Sequence, residues 1–169
     1  MSTAAEEHRD KAPVSVCCAV VTISDTRTVA TDRGGALLID LLQAAGHEVT
    51  SRAIVPDDAV AIAEQLAAML ANDEIQAVLL TGGTGISARD QTYETISQLL
   101  TKPLPGYGEL FRLLSYQEIG AAAMLSRAIG GLAGRTVVLT MPGSTAAVRL
   151  AMEKLILPEL GHLVFEARK

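Results

Sequence analysis

The chain has 169 residues, 49% of them hydrophobic, and a net charge of −5 at pH 7, which suits one compact domain with a sizeable core and is too short for two ordinary ones. Its 14 basic residues are scattered along the sequence, which argues against nucleic acid or an anionic membrane surface as partner, since both call for a clustered basic face. Apolar runs such as Val16 to Val21 fall far below the roughly 20 residues of a membrane span.

Residues 1–13, MSTAAEEHRDKAP, are polar and carry acidic charge; they read as a disordered tail and not as a secretory signal, with a single domain expected over 14–169. Val14 to Ile23 is nearly all apolar and β-branched, as in a strand covered on both faces of a parallel sheet. Cys17 and Cys18 are neighbours in that strand, so they point to opposite faces and do not bridge each other. Reduced core thiols, and with them a cytoplasmic location, are the expectation. The strand ends in Thr22-Ile23-Ser24-Asp25-Thr26-Arg27, whose hydroxyls and carboxylate could bind a polar ligand or simply close a turn.

A helix follows from about Asp32 to Ala45, with Leu37, Leu38, Leu41 and Leu42 on one stripe and Gly46 as its stop. His47 to Val55 reads as a second strand, closed by Pro56-Asp57-Asp58. Either aspartate can cap the next helix, whose inward stripe is Ile62, Leu66, Met69 and Leu70. Ile75 to Leu80 is the third strand.

That third strand delivers Thr81-Gly82-Gly83-Thr84-Gly85. Glycines admit positive φ and close backbone approach, and the amides of such a turn attract anions, phosphate above all. Gly83 to Ala88 also fits the dinucleotide fingerprint G-x-G-x-x-A. However, Ser87, Arg89 and Asp90 intervene before the helix, and Lys102-Pro103-Leu104-Pro105-Gly106 stands where a strand ending in an acidic residue belongs, so the nicotinamide reading is rejected. A P-loop is rejected as well, because no Gly-Lys-Ser/Thr follows the glycines. Asp90 is then either a ligand-binding carboxylate or the N-cap of the helix through Ile96 and Leu99.

Beyond the proline loop, helical patterns cover Tyr107 to Leu114 and Ile119 to Leu125. Ser126 to Leu132 and Thr136 to Met141 read as two strands joined at Ala133-Gly134-Arg135. Ser144 caps a last helix whose later turns Pro158 disturbs. His162 has no Cys, Asp or second His spaced to join it as a ligand, and neither a catalytic triad nor zinc spacing occurs. Alternating strands and helices imply a doubly wound, three-layer α/β/α fold with a mostly parallel sheet, Ser126 to Leu132 being the candidate antiparallel strand. Ligands in such folds sit beyond the carboxyl ends of the strands, where the polar clusters after Ile23, Val55 and Leu80 would converge.

The strings TISDT (22–26), LLTGGTGISARD (79–90), LPGYGELFRLLSYQEIG (104–120), LSRAIGG (125–131) and MPGS (141–144) together resemble the MoaB/MogA family of molybdenum cofactor biosynthesis proteins. The likeness spans Val14 to Leu163 and is closest to the MoaB branch. It implies Mg-ATP-dependent adenylylation of molybdopterin with release of pyrophosphate, or else a catalytically silent molybdopterin-binding or scaffolding protein. Position by position it makes Asp57 and Asp90 the catalytic, magnesium-binding aspartates. It assigns Thr22, Ser24, Asp25, Thr81, Gly82, Gly83, Thr84, Gly85, Pro142, Gly143 and Ser144 to the pterin and nucleotide site. It also implies a homotrimer, or a hexamer of paired trimers.

Overall fold

The computed structural model describes residues 12–169. Most of the expected tail, residues 1–11, lies outside the described residues. Pro13, at its end, is packed: its carbonyl lies 2.6 Å from where a Cβ on Gly161 would be.

The strands are β1 (Cys17–Ile23), β2 (Glu48–Val55), β3 (Ala77–Gly82), β4 (Lys102–Pro103), β5 (Gly130–Ala133) and β6 (Thr136–Met141). They form one sheet in the order β2-β1-β3-β6-β5-β4. The pairs β1–β2, β1–β3 and β3–β6 are parallel, whereas β5 is antiparallel to both β6 and β4. The single reversed strand is thus the one expected to be antiparallel.

The helices are α1 (Arg33–Ala44), α2 (Ala59–Leu70), α3 (Thr92–Leu99), α4 (Pro105–Ile119), α5 (Thr145–Ala151) and α6 (Leu157–Arg168). Alternation along the central strands divides the core into two layers. Cys18, Val20, Leu79, Leu139 and Met141 pack on one face with Leu38 and Leu42 of α1, Phe111 of α4 and Val148 and Leu160 from α5 and α6. Ala19, Val21, Val78, Leu80 and Val138 pack on the other with Ile62, Leu66 and Met69 of α2 and Ile96 of α3. This is the expected three-layer α/β/α arrangement, and it explains why β1, β3 and β6 read as unbroken apolar runs.

Several boundaries differ from expectation. The strand expected at Ser126 to Leu132 begins only at Gly130, because the Arg127 amide leaves the sheet and donates to the Thr84 carbonyl at 3.3 Å. Lys102-Pro103, expected in a loop, forms a short edge strand, the position where a proline without an N–H is tolerated. The two helices expected at Tyr107–Leu114 and Ile119–Leu125 are instead the 15-residue α4 followed by a 3₁₀ turn, Gly120–Leu125. No breaker stands between Leu114 and Ile119, so the first helix continues to Gly120. Pro158 acts just upstream of itself: Met152–Ile156 is a π turn in which the Leu157 amide reaches back to the Met152 carbonyl, relieving the clash between a helical proline ring and the preceding turn.

Candidate functional site

Strand register brings the polar clusters together. Ile23 is level with Val55 on one side and with Gly82 on the other, and Thr81 is level with Met141. The residues after all four parallel strands therefore emerge at one sheet edge, and the Ser24 amide donates to the Val55 carbonyl at 2.8 Å across it.

Two adjoining cavities lie there, sharing Ile23 and Ser24. The larger, about 490 Å³, sits between the starts of α1 and α5 and is lined by Thr22, Arg27, Arg33, Gly34, Thr81, Gly82, Gly143, Ser144 and Thr145 among others. Close approach of these segments requires Gly34, since a Cβ there would press on the Gly143 carbonyl at 2.7 Å. Ser144 Oγ accepts from the Ala147 amide at 3.2 Å and so caps α5. At the start of α1 the Arg33 amide donates to the Thr31 carbonyl at 3.0 Å and the Gly35 amide to Asp32, so it is the Gly34 amide, with Arg27 and Arg33 alongside, that suits an anion.

Asp32, 4% exposed, organises this wall. Its Oδ1 accepts from the Gly35 amide at 2.9 Å, capping α1, while its Oδ2 accepts from the Thr22 hydroxyl at 2.7 Å and from Arg52 at 3.0 Å. Burial opposes ionisation of Asp32, but the bonds from Gly35, Thr22 and Arg52 together outweigh it and hold the carboxyl below its ordinary value.

The smaller cavity, about 260 Å³, is lined by Ser24, Asp25, Thr26, Asp57, Gly83, Gly85, Arg89 and Asp90. Its geometry separates the two adjacent aspartates of the β2–α2 turn. Asp58 Oδ1 accepts from the Val60 and Ala61 amides at 3.1 and 2.9 Å and is the cap of α2. Asp57 turns the other way: its amide donates to Asp25 Oδ1 at 3.1 Å, and its own Oδ1 accepts from the Gln91 amide at 3.0 Å and the Thr92 hydroxyl at 2.9 Å. Asp90 is not the cap of α3. That position is Gln91, which makes no side-chain cap bond, while Asp90 Oδ2 accepts from the Ser87 amide at 2.6 Å within the loop.

Of the residues singled out in the sequence, Thr22, Thr81, Gly82, Gly143 and Ser144 line the larger cavity, Asp25, Asp57, Gly83, Gly85 and Asp90 the smaller, and Ser24 both. Thr84 and Pro142 line neither; Thr84 is buried, and the Pro142 carbonyl accepts from the Thr81 hydroxyl at 3.3 Å. Sequence reasoning missed Arg27, Asp32, Arg33, Gly34 and Arg89 as lining residues. The signal for the α1 group was the Gly34-Gly35 pair at the start of an otherwise good helix: a Cβ at Gly35 would overlap the Asp32 carboxylate and the Thr22 hydroxyl.

Residues 19–162 match the family described as "Probable molybdopterin binding domain". A curated relative from Bacillus cereus, "Molybdenum cofactor biosynthesis protein B", is 56% identical over 164 residues, covering 96% of this chain and 97% of its own. A crystal structure of a molybdenum cofactor biosynthesis protein B superposes with a TM-score of 0.90 at 57% identity, over 93% of this chain and 98% of that one. The tungsten cofactor synthesizing protein MoaB from Pyrococcus furiosus gives 0.83 at 36% identity, over 94% and 100%.

Proposed function

The chain belongs to the MoaB/MogA family of molybdenum cofactor biosynthesis proteins, in its MoaB branch, and from that premise we propose that it adenylylates molybdopterin with Mg-ATP. The observation that carries this reading is the pairing of the two cavities: Asp57 and Asp90 line one, and the adjoining one is lined by Arg27, Arg33, Gly34 and Ser144.

In the proposed reaction a terminal phosphate oxygen of molybdopterin attacks the α-phosphorus of ATP. A new P–O bond forms as the bond from the α-phosphorus to the bridging oxygen breaks, and pyrophosphate leaves with the electron pair. Little covalent work falls to the protein, so its residues act by positioning and by offsetting charge. Ser24 and Ser144 would orient the pterin and its phosphate in the larger cavity, whose wall Thr22 and Thr81 hold through Asp32 and the Pro142 carbonyl, with Arg27 and Arg33 offsetting the negative charge.

Asp57 and Asp90 fit magnesium, which favours one or two carboxylates completed by phosphate oxygens and water. Both bonds to Asp57 fall on Oδ1, which leaves Oδ2 without a protein partner among the described residues. No group of three or more His, Cys, Asp or Glu among those residues could hold a metal by itself. When bound, magnesium would neutralise charge developing on the leaving pyrophosphate.

Assembly into a trimer, or a hexamer of paired trimers, is part of the same proposal. It is supported by Leu110, Leu113, Tyr116 and Ile119 of α4 and by Met124 and Leu125 just beyond it, all 50 to 74% exposed within one stretch of chain, the kind of exposed apolar surface that marks a protein contact. A cytoplasmic location is supported by the free thiols of Cys17 and Cys18. Among the described residues no helix is long and apolar enough to cross a membrane.

The deciding experiment is turnover. Purified protein with molybdopterin, ATP and magnesium should release pyrophosphate, and a chelator should stop release while pterin binding persists. Pterin binding with pyrophosphate never above the protein-free control would replace the enzyme with a silent binding protein.

A further inference from the structure

Arg127 lies between the 3₁₀ turn and β5 and lines neither cavity, yet its backbone and side chain together contact the segment that carries Asp90 and the first turn of α3 behind it. Its amide donates to the Thr84 carbonyl at 3.3 Å, its Nε to the Gly85 carbonyl at 2.6 Å and one terminal nitrogen to the Asp90 carbonyl at 3.3 Å. The other terminal nitrogen pairs with the Glu94 carboxylate, and the guanidinium lies 5.3 Å from the centre of the Tyr93 ring.

The segment it grips has little to hold it otherwise. Residues 83–91 belong to no helix or strand, and 85–89 are exposed. Their internal bonds are the Ser87–Asp90 pair and one from the Gln91 side chain to the Ala88 carbonyl at 3.2 Å. Asp57 anchors the far end of the segment through Gln91 and Thr92. Among the described residues, the outside donors to the Thr84, Gly85 and Asp90 carbonyls come from Arg127.

We infer that Arg127 is a positioning residue for the adenylyl transfer, holding the Thr84–Asp90 loop so that the Asp90 carboxylate meets the Mg-ATP phosphates in a fixed place. The inference rests on the adenylyltransferase reading. Its physical basis is the planar fork of donors in a guanidinium, which reaches carbonyls at both ends of the loop and a carboxylate at once. A lysine keeps the charge and can face the Tyr93 ring or Glu94, but its donors share one nitrogen, so it cannot set separate nitrogens on the Gly85 carbonyl, the Asp90 carbonyl and the Glu94 carboxylate at once. Without the clamp those carbonyls are left to water, so the loop loosens while the sheet beneath it stays formed.

The test compares native protein with R127Q and R127K by amide hydrogen exchange and by pyrophosphate release across a magnesium titration. In R127Q, the Ser87 and Asp90 amides, which are hydrogen-bonded within the loop, should exchange about tenfold faster or more while those of β1 and β3 keep native rates. Its kcat should fall on the order of 10- to 100-fold, as expected when a reacting group is misplaced by about an ångström. Its KM for molybdopterin should stay near native, because the pterin anchors lie in the other cavity, and the magnesium concentration for half-maximal rate should rise. R127K should be intermediate in all three and guards against a variant that fails to fold. Native exchange at the Ser87 and Asp90 amides in both variants, or a rise in the molybdopterin KM with no shift in magnesium dependence, overturns the inference. If native protein itself releases no pyrophosphate, the adenylyltransferase reading falls, and the exchange rates of the Ser87 and Asp90 amides still decide whether Arg127 is the clamp.

Discussion

Asp57 accepts the hydroxyl of Thr92 at 2.9 Å across 35 residues of sequence, so the turn after β2 is fastened to the first residue of α3. The same carboxylate lines the smaller cavity. Its neighbour Asp58 serves only its own helix, and the two aspartates should respond differently to substitution. Asp57→Asn retains an acceptor for Thr92 and the Gln91 amide but loses the charge, so turnover should fall on the order of a hundredfold with a small change in melting temperature. Asp58→Ala should cost about 1 kcal/mol of stability through the lost cap and leave turnover near native. Pyrophosphate release and thermal melts of the two proteins, side by side, check this; reversed behaviour would reassign the site to Asp58.

Asp90→Asn offers a cleaner comparison than the sequence promised. Because α3 starts without a bond from Asp90, no helix cap is lost with the charge, and Asn can still accept from the Ser87 amide. Stability should hold while turnover drops on the order of a hundredfold and needs more magnesium. Unchanged turnover would confine Asp90 to shaping its loop.

Gly83 has φ +62, and a Cβ there would overlap the Thr92 hydroxyl that bonds Asp57. Gly83→Val therefore combines backbone strain with a displaced α3 start, for a loss of about 2–4 kcal/mol. Urea unfolding measures it. A midpoint equal to that of native protein would mean the turn relaxes at no cost.

The Asp32 carboxyl has a folded pKa below its ordinary value, so its contribution to stability is complete above the unfolded pKa of about 3.9 and disappears as pH falls through the lower, folded one. Asp32→Ala removes the cap of α1 and the partner of Thr22 and Arg52, with an expected loss of about 2–4 kcal/mol at pH 7. The gap between native and variant should narrow as the pH is taken below that range. Denaturant midpoints at neutral and acid pH give the comparison, and a gap independent of pH would mean that the Asp32 charge contributes nothing.

Self-association should run through the α4 surface. Replacing Leu113 and Met124, 55% and 74% exposed, by glutamate places charge in any apolar interface built there. Light scattering at micromolar concentration should shift from an oligomer to a single subunit, with far-ultraviolet dichroism unchanged. A native protein that is already monomeric would remove the assembly proposal altogether.

The sequence by itself determined the layered α/β/α fold, the parallel strands and the glycine turn after β3, because periodicity, breakers and capping residues are local properties that act within a few positions. It also placed Asp57 and Asp90 among the candidates, through a pattern of residues whose order and spacing resemble a known family. What it left open was decided by contacts between segments distant in the chain. Asp57 and Asp58 are chemically alike and adjacent, and only the packing of the β2–α2 turn against α3 assigns one to the cavity and the other to a helix cap. Asp90 resembled a cap by position, but the loop folds it back onto Ser87. Arg127 sat in a stretch that read as strand; its amide turns instead to Thr84, and its side chain spans the loop before α3. Strand register and long-range hydrogen bonds set these choices, and neither leaves a periodic trace in the sequence.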